Sequence, residues 1–159
     1  MVTAKKSLGL FIILILSFGC STSYQGQNPI EHRERVGNLT CQGPKDEGLR
    51  HGLWVCRYQT GQVYSRINYR FGKRNGVMQL FGTNGRIDSI SNWKNHLYDG
   101  VFQSYHPNGW LQFESNYLRG QLHGDLREWN AQGELIHHST YERNSLKTQH
   151  LLNNSPSRP

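Results

Sequence analysis

The sequence has no long run of helix-favouring residues, and after residue 20 it has no segment long and apolar enough to cross a membrane as a helix. Cysteine is scarce, at three residues in 159, and the eight histidines are scattered. Neither type falls at the spacing that a zinc site needs, so no metal or other cofactor is expected. The length leaves room for one domain and no second sizeable core. What remains is a chain with 17 glycines and 11% aromatic residues. That is the composition of a turn-rich all-β protein, and it is too aromatic for wholesale disorder.

The first 19 residues stand apart. Lys5 and Lys6 precede an apolar run from Leu8 to Phe18, which ends at Gly19-Cys20. The run is shorter than the roughly 20 residues that span a bilayer, and it reads as the apolar region of a secretory signal. A small residue before a cysteine at that point resembles a bacterial lipoprotein signal. The chain departs from that pattern at Ser17, where leucine is usual, with Leu16 one step earlier. The resemblance implies export, lipid on Cys20 and a place in the bacterial cell envelope, held to the membrane by the lipid. Each buried CH₂ of an acyl chain contributes about 0.8 kcal/mol, so two or three chains anchor firmly.

Residues 20–40 are polar, without apolar periodicity, and are expected to be a tether. Cys41 and Cys56 are then an even pair in an oxidising compartment, and a disulfide is the expectation. The alternative is two separately buried small side chains.

From Gly52 the chain divides into four units of 24 residues with no insertion: 52–75, 76–99, 100–123 and 124–147. Each opens on a glycine (Gly52, Gly76, Gly100, Gly124). A second follows nine residues on (Gly61, Gly85, Gly109, Gly133), then an aliphatic (Val63, Ile87, Leu111, Leu135) and an aromatic (Tyr69, Trp93, Tyr117, Tyr141). Gly72 and Gly120 recur after the aromatic, with His96 and Asn144 in the alternate units, and Gly48 fits that slot one period earlier. The earlier match suggests a degenerate capping unit.

Such a unit reads as a β-hairpin, with the second glycine supplying the φ > 0 that a tight turn needs. The even spacing of aliphatic and aromatic predicts one shared face. Trp54, Met78, Phe102 and Leu126 share a slot on the first strand. The aromatics Phe81, Tyr105 and Trp129, three residues on, predict a bulge or two partly covered faces. One hairpin cannot bury a face in water, but repeats without insertions stack like on like. The expected fold is therefore an elongated antiparallel sheet of stacked hairpins over 41–147, with a frayed tail at 148–159. Leu151 and Leu152 are expected to cover the last edge.

The pattern resembles the MORN repeat (membrane occupation and recognition nexus) in its bacterial variant, and "YHPNGWLQFESNYLRGQLHG" follows it nearly throughout. The resemblance implies an elongated hairpin sheet acting as a binding or scaffolding module. It transfers no catalytic residue. Some bacterial members carry an antitoxin label, which implies, as the second reading, an immunity-like inhibitor that caps a partner protein.

A carbohydrate-active enzyme is the weakest reading. Glu114, Asp125, Glu128 and Glu134 could pair as glycosidase carboxylates, but they occupy non-equivalent slots. His137 and His138 are adjacent on a strand and point to opposite faces. Charge is more informative. Residues 50–94 carry eight basic residues and one acid, a net charge of +7, whereas residues 95–142 have a net charge of −4. The candidate binding residues are Arg66, Arg70, Lys73, Arg74, Arg86 and Lys94, facing an anionic envelope surface or an acidic protein. Export disfavours nucleic acid as the partner.

Overall fold

In the computed structural model residues 31–152 are described, and all of their regular structure is β. The strands before the first full repeat are β1 (Glu31–Val36), β2 (Leu39–Asp46) and the short β3 (Leu49–Arg50). The four repeats supply β4 (Gly52–Arg57) with β5 (Val63–Arg70), β6 (Lys73–Phe81) with β7 (Ile87–Lys94), β8 (Leu97–Tyr105) with β9 (Leu111–Leu118), and β10 (Gln121–Trp129) with β11 (Leu135–Glu142). The last strand is β12 (Ser145–Leu151). All lie in one antiparallel sheet in chain order, except that β3 pairs only with β2. At ~4.8 Å per strand the sheet is roughly 50 Å across its strands.

The domain edges differ from the expectation. Residues 31–40, expected in the tether, form β1 and the start of β2. Residues 148–151, expected in the tail, complete β12. The reason lies in the repeat: β1 and β2 are the capping unit that Gly48 hinted at, because Cys41 pairs with Cys56 as Ser65 pairs with Leu80, one period on. Leu151 and Leu152 do not cover the last edge. Leu151 belongs to β12 and is 67% exposed.

Two kinds of turn alternate. Phe71-Gly72, Asn95-His96, Arg119-Gly120 and Arg143-Asn144 each hold two successive residues at positive φ, from 47° to 82°. That is the type I′ hairpin turn, whose twist matches that of the strands it joins. At the other edge Gly61, Gly85, Gly109 and Gly133 close longer loops. Gly61 N–H donates to the Tyr58 carbonyl at 2.9 Å and Tyr58 N–H to the Gln62 carbonyl at 2.9 Å, and the other three repeat this arrangement.

The opening glycines sit at neither turn. Each lies within a strand, opposite the aromatic of its own unit: Gly52 faces Tyr69, Gly76 faces Trp93, Gly100 faces Tyr117 and Gly124 faces Tyr141. At Gly76, Gly100 and Gly124 the pairing with the preceding strand skips, and φ is 104°, 112° and 97°. The side-chain amides of Asn68, Asn92 and Asn116 reach across these bulges. They donate to the carbonyls of Val77, Val101 and Asp125 at 2.9, 2.9 and 3.4 Å. A Cβ on Gly100 would stand 3.1 Å from that of Asn92, so the glycine makes room for the asparagine.

A second bulge falls at Phe81, Tyr105 and Trp129, as their odd spacing predicts. Its equivalent in the first unit shifts the phase of β5. Val63 pairs with the exposed Arg57, while Tyr64 packs against the buried Cys41, Trp54 and Cys56. The aliphatic and the aromatic therefore do not share a face.

Among the described residues no second layer covers the sheet, and one face buries itself. Its central row runs strand to strand as Trp54, Ile67, Met78, Ser91, Phe102, Ser115, Leu126 and Ser139. From the second unit on, large side chains on first strands (Met78, Phe102, Leu126) alternate with serines on second strands, whereas in the first unit Trp54 stands beside Ile67. Ser115 and Ser139 are 0% exposed, and their hydroxyls have no hydrogen-bond partner. The aromatics stack alongside: Tyr98 lies 4.0 Å from Trp93 and 5.0 Å from Tyr117, centroid to centroid.

The first end of the row is sealed by the capping unit. Trp54, at 0% exposure, lies on the backbone of Gly43 and donates its indole N–H to the Pro44 carbonyl at 2.8 Å. Cys41 and Cys56 are disulfide-bonded beside it. Closing a loop of about 15 residues stabilises by about 3 kcal/mol in the chain-entropy model. The Arg50 guanidinium lies 4.4 Å over the Trp54 ring and is held by Glu34 at 2.7 Å. Hydrogen bonds from Lys45 and then Arg50 hold the Glu34 carboxyl below its ordinary range.

Two stability predictions follow from the row. Ser115→Ala removes an unsatisfied buried hydroxyl and keeps the volume, so it should be neutral or stabilising by about 1 kcal/mol in denaturant melts. Gly43→Ala puts a methyl 2.6 Å from Trp54 Cγ and 2.7 Å from the Leu53 carbonyl, and should destabilise by roughly 2 kcal/mol or more. A loss of stability in the serine variant would refute the packing account. Separately, deleting 76–99 preserves which strands meet and should leave a cooperative melt, whereas deleting 76–87 joins unlike strands and should abolish it. Equal outcomes would contradict stacking by repeat.

Candidate functional site

The six basic residues singled out from the sequence do not form one patch. Arg66 lies on the open face of β5, its guanidinium 5.2 Å over the Phe81 ring. Arg74 lies on the buried face, 3.7 Å over the Trp93 ring, where it caps the aromatic stack. Arg86 is at the opposite, loop edge and donates to the Pro107 carbonyl at 3.1 Å. Only Arg70, Lys73 and Lys94 come together. They line one shallow hollow of about 340 Å³ with Phe71, Asn75 and Asn95.

The β-ladder explains this sorting. Alternation along β5 sends Arg66 and Arg70 to one face and Tyr69 to the other, and Arg74 pairs with Tyr69. Arg70 and Lys73 pair directly across the type I′ turn, and the next turn, at 95–96, brings Lys94 alongside. Like charges set opposite each other on a ladder are destabilising. Among the described residues none of the three has an ion-pair partner.

The cations continue along that edge beyond the first two repeats. Lys94 and Arg119 line the next hollow with Leu97 and Asp99, and Arg119 and Arg143 line the one after with Leu118 and Gln121. Between them Leu49, Phe71, Leu97 and Leu118 are each 46–50% exposed. From Arg70 to Arg143 the tight-turn edge therefore carries five cations with apolar side chains between them, and Asp99 stands beside Arg119. Net charge over 95–142 hides Arg119 among acids, and Arg143 falls just outside that stretch. The signal was their slot, the first residue of each type I′ turn.

The acids of the distal half are largely engaged within the sheet. Arg127 bridges Glu114, at 3.4 Å, and Asp125, and His138 approaches Asp125 at 3.2 Å. Bonding to His138 is the main cause that lowers the Asp125 carboxyl from its ordinary value. Glu142 pairs with Lys147 at 3.1 Å, and Glu128 lies 3.9 Å from His137. His137 and His138 have separate carboxylate neighbours, as adjacent residues of a strand must. Cys20 lies outside the described residues.

No curated protein matches the chain. The pattern that defines the MORN repeat variant matches residues 50–70 and 98–118. Those stretches cover β4 and β5 from Arg50 on, and most of β8 with β9. Their first residues lie two 24-residue periods apart, in phase with the hairpins and with the stacked aromatic face. The chain therefore carries MORN-variant repeats, in the first and third of its four hairpin units.

Proposed function

We propose that this protein is an envelope lipoprotein whose MORN-variant repeats form a non-catalytic docking module, turned by its tight-turn edge toward an anionic surface. The observation that carries this reading is the unpaired trio of Arg70, Lys73 and Lys94, set against exposed Phe71. Three cations held together without an acid raise the energy of the free protein and lower it when an anionic partner arrives. The apolar residues between them add the short insertions that favour a lipid interface over a dissolved polyanion. The lipid on Cys20 localises the chain, and the basic edge then orients the sheet. Near an anionic bilayer each Lys or Arg contributes about 1 kcal/mol, screened over roughly 10 Å at 0.1 M salt.

Two tests separate anchoring from docking. Cys20→Ser should abolish metabolic labelling by a fatty acid and leave uncleaved precursor, and equal labelling would remove the lipoprotein reading. In a form lacking residues 1–20, reversing Arg70, Lys73 and Lys94 to glutamate should weaken flotation with anionic vesicles by about a hundredfold or more. Reversing Asp125, Glu128 and Glu134 to lysine should not weaken it. Absence of salt-sensitive binding by the unmutated form would refute the docking reading.

A further inference from the structure

The two ends of the sheet are not alike. The outer strand β1 reads EHRERV, and charges of both signs on Glu31, Arg33, Glu34 and Arg35 guard its free edge. The outer strand β12 reads SLKTQHL. Its one formal charge, Lys147, is engaged by Glu142. Every residue of β12 is exposed, with Leu146 at 48% and Leu151 at 67%.

The repeat says what is missing there. β4, β6, β8 and β10 are first strands, and each lies between two second strands. β12 is also a first strand. Leu146 pairs with Tyr141 as Leu122 pairs with Tyr117, and Gln149 takes the place opposite Ser139 that Leu126 takes opposite Ser115, the bulge between being one residue shorter. It has β11 on one side and nothing described on the other. The central row therefore ends on Gln149, a large side chain with no small neighbour beyond it.

We propose that β12 is an acceptor edge that binds an extended segment of another protein as an added strand. The internal units define the segment. It runs antiparallel to β12, with a small residue opposite Gln149 and an aromatic two positions later. Ser91-Asn92-Trp93, Ser115-Asn116-Tyr117 and Ser139-Thr140-Tyr141 occupy that register in the second, third and fourth units. The main chain supplies the hydrogen bonds, and the small–aromatic pair supplies the selectivity. The donors are identified by parity. Leu152 N–H is bonded to the Ile136 carbonyl at 3.0 Å, so alternation turns the N–H groups of Gln149 and Leu151 toward the open edge. This inference goes beyond the docking reading and holds with or without a lipid anchor.

The test uses the full chain in detergent and a labelled peptide, LQFESNYL, with the sequence of 111–118. Saturable binding is expected, with slowed amide exchange at Gln149 and Leu151 and no such effect from a scrambled peptide. Replacing the peptide's serine by leucine and its tyrosine by alanine should also weaken it. Gln149→Pro deletes an outward donor without touching the β11 ladder. It should leave the melting temperature near that of the parent and weaken the peptide by at least about tenfold. No binding, equal binding of the scrambled peptide, or slowed exchange elsewhere than β12 would overturn the proposal. So would sedimentation showing that two copies of the chain pair through β12 and exclude the peptide.

Discussion

The structure depends on one packing constraint: a single-layer sheet must bury a face without a second layer to press against. It does so by putting a large residue beside a small one at most steps of the central row, the exception being Ile67 between Trp54 and Met78. Trp54 against Gly43 is the extreme of this pairing, and Phe102 against Ser115 is a middle case. The constraint explains why second strands carry serine in a buried row. The Ser115 and Ser139 hydroxyls have no hydrogen-bond partner, so what serine contributes there is its size, whereas Ser91 also accepts from the Trp93 indole N–H at 2.7 Å. It also explains why insertions are absent. One extra residue in a strand turns its remaining side chains to the other face unless a bulge absorbs it.

A row of this kind has ends, and the ends are where it becomes marginal. The capping unit closes the first end with a disulfide, a tryptophan laid on glycine and an arginine clamped over the rings. Arg50 and Arg74 occupy equivalent slots one period apart, and both lie over a tryptophan. One and two periods further on Tyr98 and Leu122 take that slot. The sheet thus passes from cationic caps on its rings near the first end to apolar ones further along. Part of the basic character seen in the sequence is structural, committed to aromatic faces and not offered to a partner.

Most of the fold was legible in the sequence, because a 24-residue period without insertions leaves little freedom in how hairpins stack. The order of strands, both turn positions and the aromatic slot could be read directly. The opening glycine could be located but not explained, since its role depends on Asn68, Asn92 and Asn116 across the bulge. Those asparagines recur at a fixed offset too, and one more column of the same alignment would have exposed them. The face of Val63 was misread for a physical reason. A bulge adds one residue to one strand, and simple alternation has no record of it.

The candidate site was less legible because charge summed along the chain is not charge summed in space. Arg66, Arg74 and Arg86 are close to Arg70 and Lys73 in sequence, yet the ladder sends them to one face, the other face and the far edge. A strand of eight residues separates the two edges by roughly 25 Å, about three Debye lengths at physiological salt. Arg119, in the acidic half, and Arg143, just beyond it, fall on the same edge as Arg70, because every type I′ turn does. In a hairpin ribbon the turns are the only positions that line up along one margin for the whole length of the molecule. A surface that must lie flat on something large is therefore most simply built from turn residues, where the backbone geometry is fixed and the side chain is free to vary. The slots at 71, 95, 119 and 143 hold Phe, Asn, Arg and Arg in that geometry, so chemistry can change there without disturbing the buried row.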